Sequence, residues 1–367
     1  MTVEPARVVL QDVPRVSFGD DPAVENVPFP SCVRAYLDFM GLGMGSETIA
    51  AHGRTYQRNI AYTHVMGTSG AAFRLVWMPG WHVDNTDIVH LAKNPIEPYR
   101  RAFDSVGLAF EMLESNQADE AAFRQAIVTH IRDHQRPVLA FGVIGPPECC
   151  LITGYDEGGD VLIGWNYFQN IPPFNAGVEY EPGGEFRKRD WFRETPALYL
   201  ITGQKPRPPQ AEIYRDALQW ALTVARPSSI RHRITGLAAY DAWTDQLRQD
   251  ADFATDDAAA LNERHMTHHD TIGAVAEGRW YAYCFMHLIM EAEPAMADDL
   301  QNAADCYKAE HDLMWKIWNL MGGYGHDEAK VRLFAEPEVR SQMIPLIHEA
   351  RDKDAEAIQH IERALAR

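Results

Sequence analysis

The chain has 367 residues, with 34 Lys and Arg against 52 Asp and Glu and a formal net charge of −18. That length suffices for two ordinary domains with a sizeable core. The acidic balance excludes nucleic acid as the main partner, because phosphate binding needs a surplus of Lys and Arg on one face.

In chain order, the first candidate element is a helix near Ser31 and Cys32. Ser31 is the expected N-cap and Cys32 the first helical residue, with Pro28-Phe29-Pro30 fixing the approach. Gly67-Thr68-Ser69-Gly70 reads as a tight turn before a β-rich run at residues 72–78, and Arg74 as a strand residue suited to an exposed salt bridge. Helices are expected near residues 97–106 and 119–134, and a strand at 137–144. A strand beginning at the Pro146-Pro147 stop with Glu148, a turn at residues 156–159 and a second apolar strand over 161–166, ending in Trp165-Asn166, read as a β-hairpin. Residues 172–189 read as an excursion able to cover a cleft, and 197–202 as a closing strand.

Residues 204–209, with three prolines, form a stiff linker, because proline suits neither helix interior nor central strand. Beyond it the period becomes helical, at residues 211–225, 238–249, 258–292, 295–321 and 338–366, with Pro294 and Gly322-Gly323 as stops. The expected organisation is an α+β domain over 1–203, a linker over 204–209 and an all-α bundle over 210–367. No basic-then-apolar leader opens the chain and no segment approaches the roughly 20 apolar residues of a membrane span, so a cytoplasmic protein without membrane contact is expected. Five scattered cysteines form no C-x-x-C pair, and neither a disulfide framework nor a zinc knuckle is expected.

The run from Ser31-Cys32 to Gly41 and the run Leu151 to Gly154-Tyr155-Asp156 together resemble the papain-like cysteine enzymes, specifically the bacteriocin-processing peptidases and the butirosin-biosynthesis H protein N-terminal family. Met66 to Arg74 is similar to the Gly-rich turn before an aromatic strand in the butirosin family. The resemblance implies a papain-like first domain with Cys32 as nucleophile. It puts Glu148 at the position of the family's His and Asn166 at that of its Asn or Asp. The implied activity is acyl transfer or amide hydrolysis on a small molecule, in the manner of natural-product biosynthesis, with a cationic amine or a carrier-protein-bound acyl group as partner. Ser69, Arg74, Tyr155, Trp165 and Gln169 are the candidate substrate contacts. No cofactor or metal is implied, and a homodimer is a base-rate expectation.

Chemistry pulls against that assignment at one position. A reference carboxylate lies about four pH units below a reference thiol, so proton transfer from thiol to an ordinary Glu is uphill by roughly 5 to 6 kcal/mol. Three readings stay open: Glu148 is a desolvated base, another imidazole such as His52, His64 or His82 enters the site, or thiol catalysis is lost and the fold binds a ligand or regulates. In the helical half, His265, His269 and His287 lie on one stripe and His311 on another, a pattern that core packing explains more readily than a metal.

Overall fold

The computed structural model describes residues 5–19, 25–51, 54–82 and 88–367. It is α+β, and it divides into two compact units that interleave along the chain. The first comprises Met1–Val65 and Val106–Arg207, the second Met66–Ser105 and Pro208–Arg367. Residues 66–105, placed with the first domain by the sequence pattern, thus belong with the helical unit. The chain passes between units at the end of the proline-rich stretch.

In the first unit the elements are β1 (Val8–Val9), α1 (Pro28–Phe39), β2 (Ser46–Ala51), β3 (Arg54–Asn59), and the opening of α2 (Ile60–Ser69). The second unit takes the end of α2, β4 (Val76–Trp77) and α3 (Glu97–Ser105). The chain then returns as β5 (Leu108–Glu114), α4 (Glu120–His134), β6 (Val138–Phe141), β7 (Cys149–Asp156), β8 (Val161–Trp165), β9 (Glu179–Tyr180), β10 (Phe186–Lys188) and β11 (Ala197–Gln204). These strands build one antiparallel sheet in the order β5-β11-β6-β7-β8-β10-β9, with β1 beside the far end of β7. The excursion at 172–189 supplies the two short edge strands, β10 pairing antiparallel with β8 and β9 with β10, and is otherwise turns.

The central strands β6, β7 and β8 are buried on both faces, which explains their near-continuous apolar runs. One face packs Phe123, Ile127 and Ile131 of α4 against Ile152, Leu162 and Leu198. Helix α4 begins where expected, because the Asp119 carboxylate accepts the Ala122 N–H at 2.9 Å.

The second unit continues with α5 (Gln210–Ala225), β12 (Ser229–Ile230), β13 (Arg233–Thr235), α6 (Leu237–Leu247), α7 (Asp250–Phe253), α8 (Ala258–Ala292), α9 (Ala297–Leu320), α10 (Glu328–Ala335) and α11 (Pro337–Leu365). A small antiparallel sheet, β12-β13-β4, sits among these helices. Its core joins Trp77 and Trp81 to Trp243 of α6, Ile272 and Val275 of α8, Met314 and Ile317 of α9, and Met343 and Ile347 of α11. Among the described residues no helix is long and apolar enough to cross a membrane.

Candidate functional site

The first turn of α1 differs from the sequence expectation. The helix opens at Pro28 with Val27 in the cap position, and Ser31 caps nothing. Pro28 and Pro30 occupy first-turn positions, where a missing N–H costs nothing and a fixed φ suits the helix. Cys32 is consequently the fifth helical residue. Of the four residues before it, Pro28 and Pro30 have no N–H and the Ser31 N–H donates to the Val27 carbonyl at 3.3 Å, so the first turn offers the sulfur no row of unpaired donors.

The Cys32 side chain is fully buried, at 0% exposure, and its thiol donates to the carbonyl oxygen of Cys149 with Sγ and O 3.6 Å apart. Cys149 and Cys150, at the head of β7, are buried beside it. Burial pushes the Cys149 thiol well up, and the neighbouring Cys32 thiol adds to the rise. Cys150 is raised by burial first and then by Cys32, while a hydrogen bond from the Asn166 side chain acts in the opposite direction. The structure thus brings together α1, the head of β7 and Asn166, but around a buried sulfur cluster.

Glu148 is half-buried immediately before β7. Its backbone closes the β6–β7 loop into a ring, because the Gly142 N–H donates to the Glu148 carbonyl at 2.9 Å. Three positions in that loop have positive φ: Gly142, Val143 and Gly145. Gly142 has φ 83°, and a Cβ there would lie 1.8 Å from the Glu194 carbonyl oxygen, so only glycine fits. Val143 has φ 67°, a strained conformation for a β-branched residue that costs about 1–3 kcal/mol. Its N–H donates to the Glu194 carbonyl at 3.1 Å, which helps hold it there.

Asn166 clamps the same loop. Its Nδ2 donates to the Gly142 carbonyl at 3.0 Å, and its Oδ1 accepts the Phe168 N–H at 2.7 Å. Gln169 extends the clasp, its Oε1 accepting the Asn166 N–H at 2.9 Å and its Nε2 donating to the Gly184 carbonyl at 2.8 Å. Both amides are buried and engaged with backbone, an arrangement that positions the loop. Trp165 is buried, with the Arg15 guanidinium 5.5 Å from its ring centroid. Tyr155 lies in the sheet core with its hydroxyl 3.4 Å from the Pro5 carbonyl oxygen.

Ser69 and Arg74 belong to the second unit and Cys32 to the first. Gly67, Thr68 and Ser69, expected as part of a turn, are the last residues of α2, and Gly70 with φ 89° follows it in the left-handed cap conformation. The Ser69 hydroxyl accepts the Ala71 N–H at 3.2 Å. Residues 71–73 form a 3-10 turn, so Arg74 is not on a strand. It is buried, not on the surface as expected, and its Nη1 donates to the Ala71 carbonyl at 2.8 Å. Of the imidazoles proposed as a base, His64 is buried in α2, His82 is exposed, and His52 lies outside the described residues.

The most elaborate polar constellation was not singled out from the sequence. In the second unit Arg279 of α8 is fully buried, and its Nε donates to Glu310 Oε2 of α9 at 3.0 Å. Nη2 donates to Asp354 Oδ2 of α11 at 2.6 Å, and Nη1 to the Ala72 and Arg74 carbonyls at 2.9 and 3.2 Å. The Tyr240 hydroxyl reaches both carboxylates, 2.9 Å from Glu310 and 3.0 Å from Asp354. Two buried carboxylates facing one guanidinium leave a surplus negative charge. Burial, then Asp354, pushes Glu310 well above the usual carboxylate range, so a proton on Glu310 neutralises the cluster.

The histidine stripe is likewise engaged internally. His265 and His326 share a hydrogen bond between their Nδ1 atoms at 2.6 Å, the Trp243 indole donates to His268 Nδ1 at 2.9 Å, and the Gly325 N–H donates to His269 Nε2 at 3.3 Å. Burial pushes His265 down to about 4, consistent with a neutral core imidazole. No protein-family model matches the chain, and no curated protein matches it.

Proposed function

We propose that the first unit is a papain-like fold that has given up thiol catalysis at Cys32 and serves as a ligand-binding or regulatory module for a small cationic molecule. A cysteine-bearing helix against a central strand of an antiparallel sheet supports the architecture. The observation that carries the functional reading is the state of Cys32: fully buried, a turn inside its helix, and hydrogen-bonded to the Cys149 carbonyl. A nucleophile has to meet its substrate, and a side chain with no exposed surface presents none of its sulfur to one. Glu148, half-buried on a loop held in strained geometry, supplies the acceptor for an amine.

The test is a thermal-shift series with small mono- and diamines on the full chain, Cys32→Ala and Glu148→Gln. The expected pattern is an amine-dependent rise in melting temperature that survives Cys32→Ala and disappears in Glu148→Gln. Absence of any amine-dependent rise removes this reading.

A second reading draws on the meeting of Cys32, Cys150 and Asn166 beside Glu148. It is a cysteine-dependent acyltransferase or amide hydrolase, with Glu148 as base and Asn166 as orienting amide, which becomes competent when α1 and β7 separate. Thioester-dependent acylation of Cys32, lost in Cys32→Ala, is the result that favours it.

A further inference from the structure

On the α9–α11 seam of the second unit, three side chains of different chemistry converge: Cys306 of α9 with Glu356 and His360 of α11. The α11 pair is spaced i, i+4, which puts both on one helical face. One ligand atom from each residue lies within 4.8 Å of the other two. Tetrahedral zinc with Zn–S of about 2.3 Å and Zn–N and Zn–O of about 2.0–2.2 Å separates its ligand atoms by about 3.3–3.8 Å, within reach of small side-chain rotations.

The lone pairs at this point are met by hydrogen-bond donors. The Lys353 ammonium donates to Glu356 Oε2 at 2.6 Å, and the Arg363 guanidinium lies 2.5 Å from His360 Nδ1. The Cys306 thiol is pushed up to about 12, by burial first and then by the Glu356 carboxylate that it hydrogen-bonds. Protons and N–H groups stand where a cation would. Cys306 is buried, His360 half-buried and Glu356 exposed, so the sulfur sits at the base and solvent reaches the carboxylate side. Ordinary surface ion pairing explains the Lys353–Glu356 contact but not a thiol and an imidazole gathered with it.

We propose that Cys306, Glu356 and His360 bind a divalent transition-metal ion of the zinc class, tying α9 to α11 and leaving a fourth position for water or a ligand. A thiolate, an imidazole and a carboxylate form a donor set that suits zinc and cobalt and not magnesium or calcium. Binding displaces the thiol proton to solvent. Lys353 and Arg363 oppose the cation and set a moderate affinity.

The experiment is titration of the chelator-treated full chain with Co2+, followed by optical absorption. The expected result is a thiolate-to-cobalt charge-transfer band saturating at one equivalent, displaced by Zn2+ but not by Mg2+. Cys306→Ala should abolish the band, and His360→Gln, a change at a half-buried surface position, should weaken binding at least tenfold while circular dichroism stays that of the parent. Lys353→Gln should tighten it. No charge-transfer band, or one that persists in Cys306→Ala, overturns the assignment.

Discussion

Arg279→Met offers the largest single perturbation of the helical unit. The substitution keeps an apolar stem of similar length but removes the guanidinium that faces Glu310, Asp354 and the Ala72 and Arg74 carbonyls. Removing one partner of a buried pair costs about 3–5 kcal/mol, because the remaining charge stays in the apolar interior. With Glu310 holding a proton, the stranded charge is that of Asp354. For a unit of roughly 200 residues, each kcal/mol shifts the melting temperature by about 2–4 °C, so a fall of about 6–20 °C is expected by calorimetry. Adding Asp354→Asn removes the stranded charge and should restore part of the loss. A variant that melts within about 2 °C of the parent, or a second substitution that restores nothing, would refute the argument that the ion cluster is a buried, mutually dependent unit.

Other outcomes follow from the same physics. Because the folded-state pKa of Glu310 is raised, its contribution is fully present below the unfolded value of 4.5 and declines as pH rises. Glu310→Gln should therefore gain melting temperature relative to the parent between about pH 5 and 8, and a parallel pair of curves would contradict that. Burial pushes His130 down to about 4, so its contribution is present above the unfolded value near 6.5 and is lost as pH falls toward 4, amounting to at most about 3 kcal/mol. Urea midpoints of His130→Gln should be flatter than those of the parent between pH 7 and 4.5; equal slopes would count against it. Asn166→Ala breaks the bonds to the Gly142 carbonyl and the Phe168 N–H and should destabilise the first unit by about 2–4 kcal/mol in denaturant, with under 1 kcal/mol contradicting its positioning role.

Periodicity made most of the second unit legible. Helix α8 runs over the expected Ala258–Ala292, and α9 and α11 start and stop within two residues of the pattern, because Pro294 and Gly322-Gly323 interrupt hydrogen bonding. The β7–β8 hairpin was equally readable from its apolar runs and the turn at Asp156 to Gly159. Helix α2 was hidden by Gly67, which looks like turn chemistry but is there because a Cβ would lie 2.4 Å from the Phe285 ring. Cys32 lies one turn deeper in its helix than the sequence pattern suggests, because Pro28 and Pro30 form the first turn itself.

The buried ion cluster illustrates a different limit. Arg279 interrupts a long apolar stretch of α8, which is the signal that could have found it, but its partners lie 31 and 75 positions away. One chain's spacing does not reveal that Glu310 and Asp354 meet it. Cys306, Glu356 and His360 were invisible for the same reason, since the Cys comes from another helix.

Alkylation of the native chain, read site by site by mass spectrometry near neutral pH, tests the central claim about the first unit most directly. Sealed as it is, Cys32 should react as slowly as the fully buried Cys284 and become reactive only when denaturant opens the fold. Selective, rapid labelling of Cys32 in native buffer would contradict the account and return the thiol to catalysis.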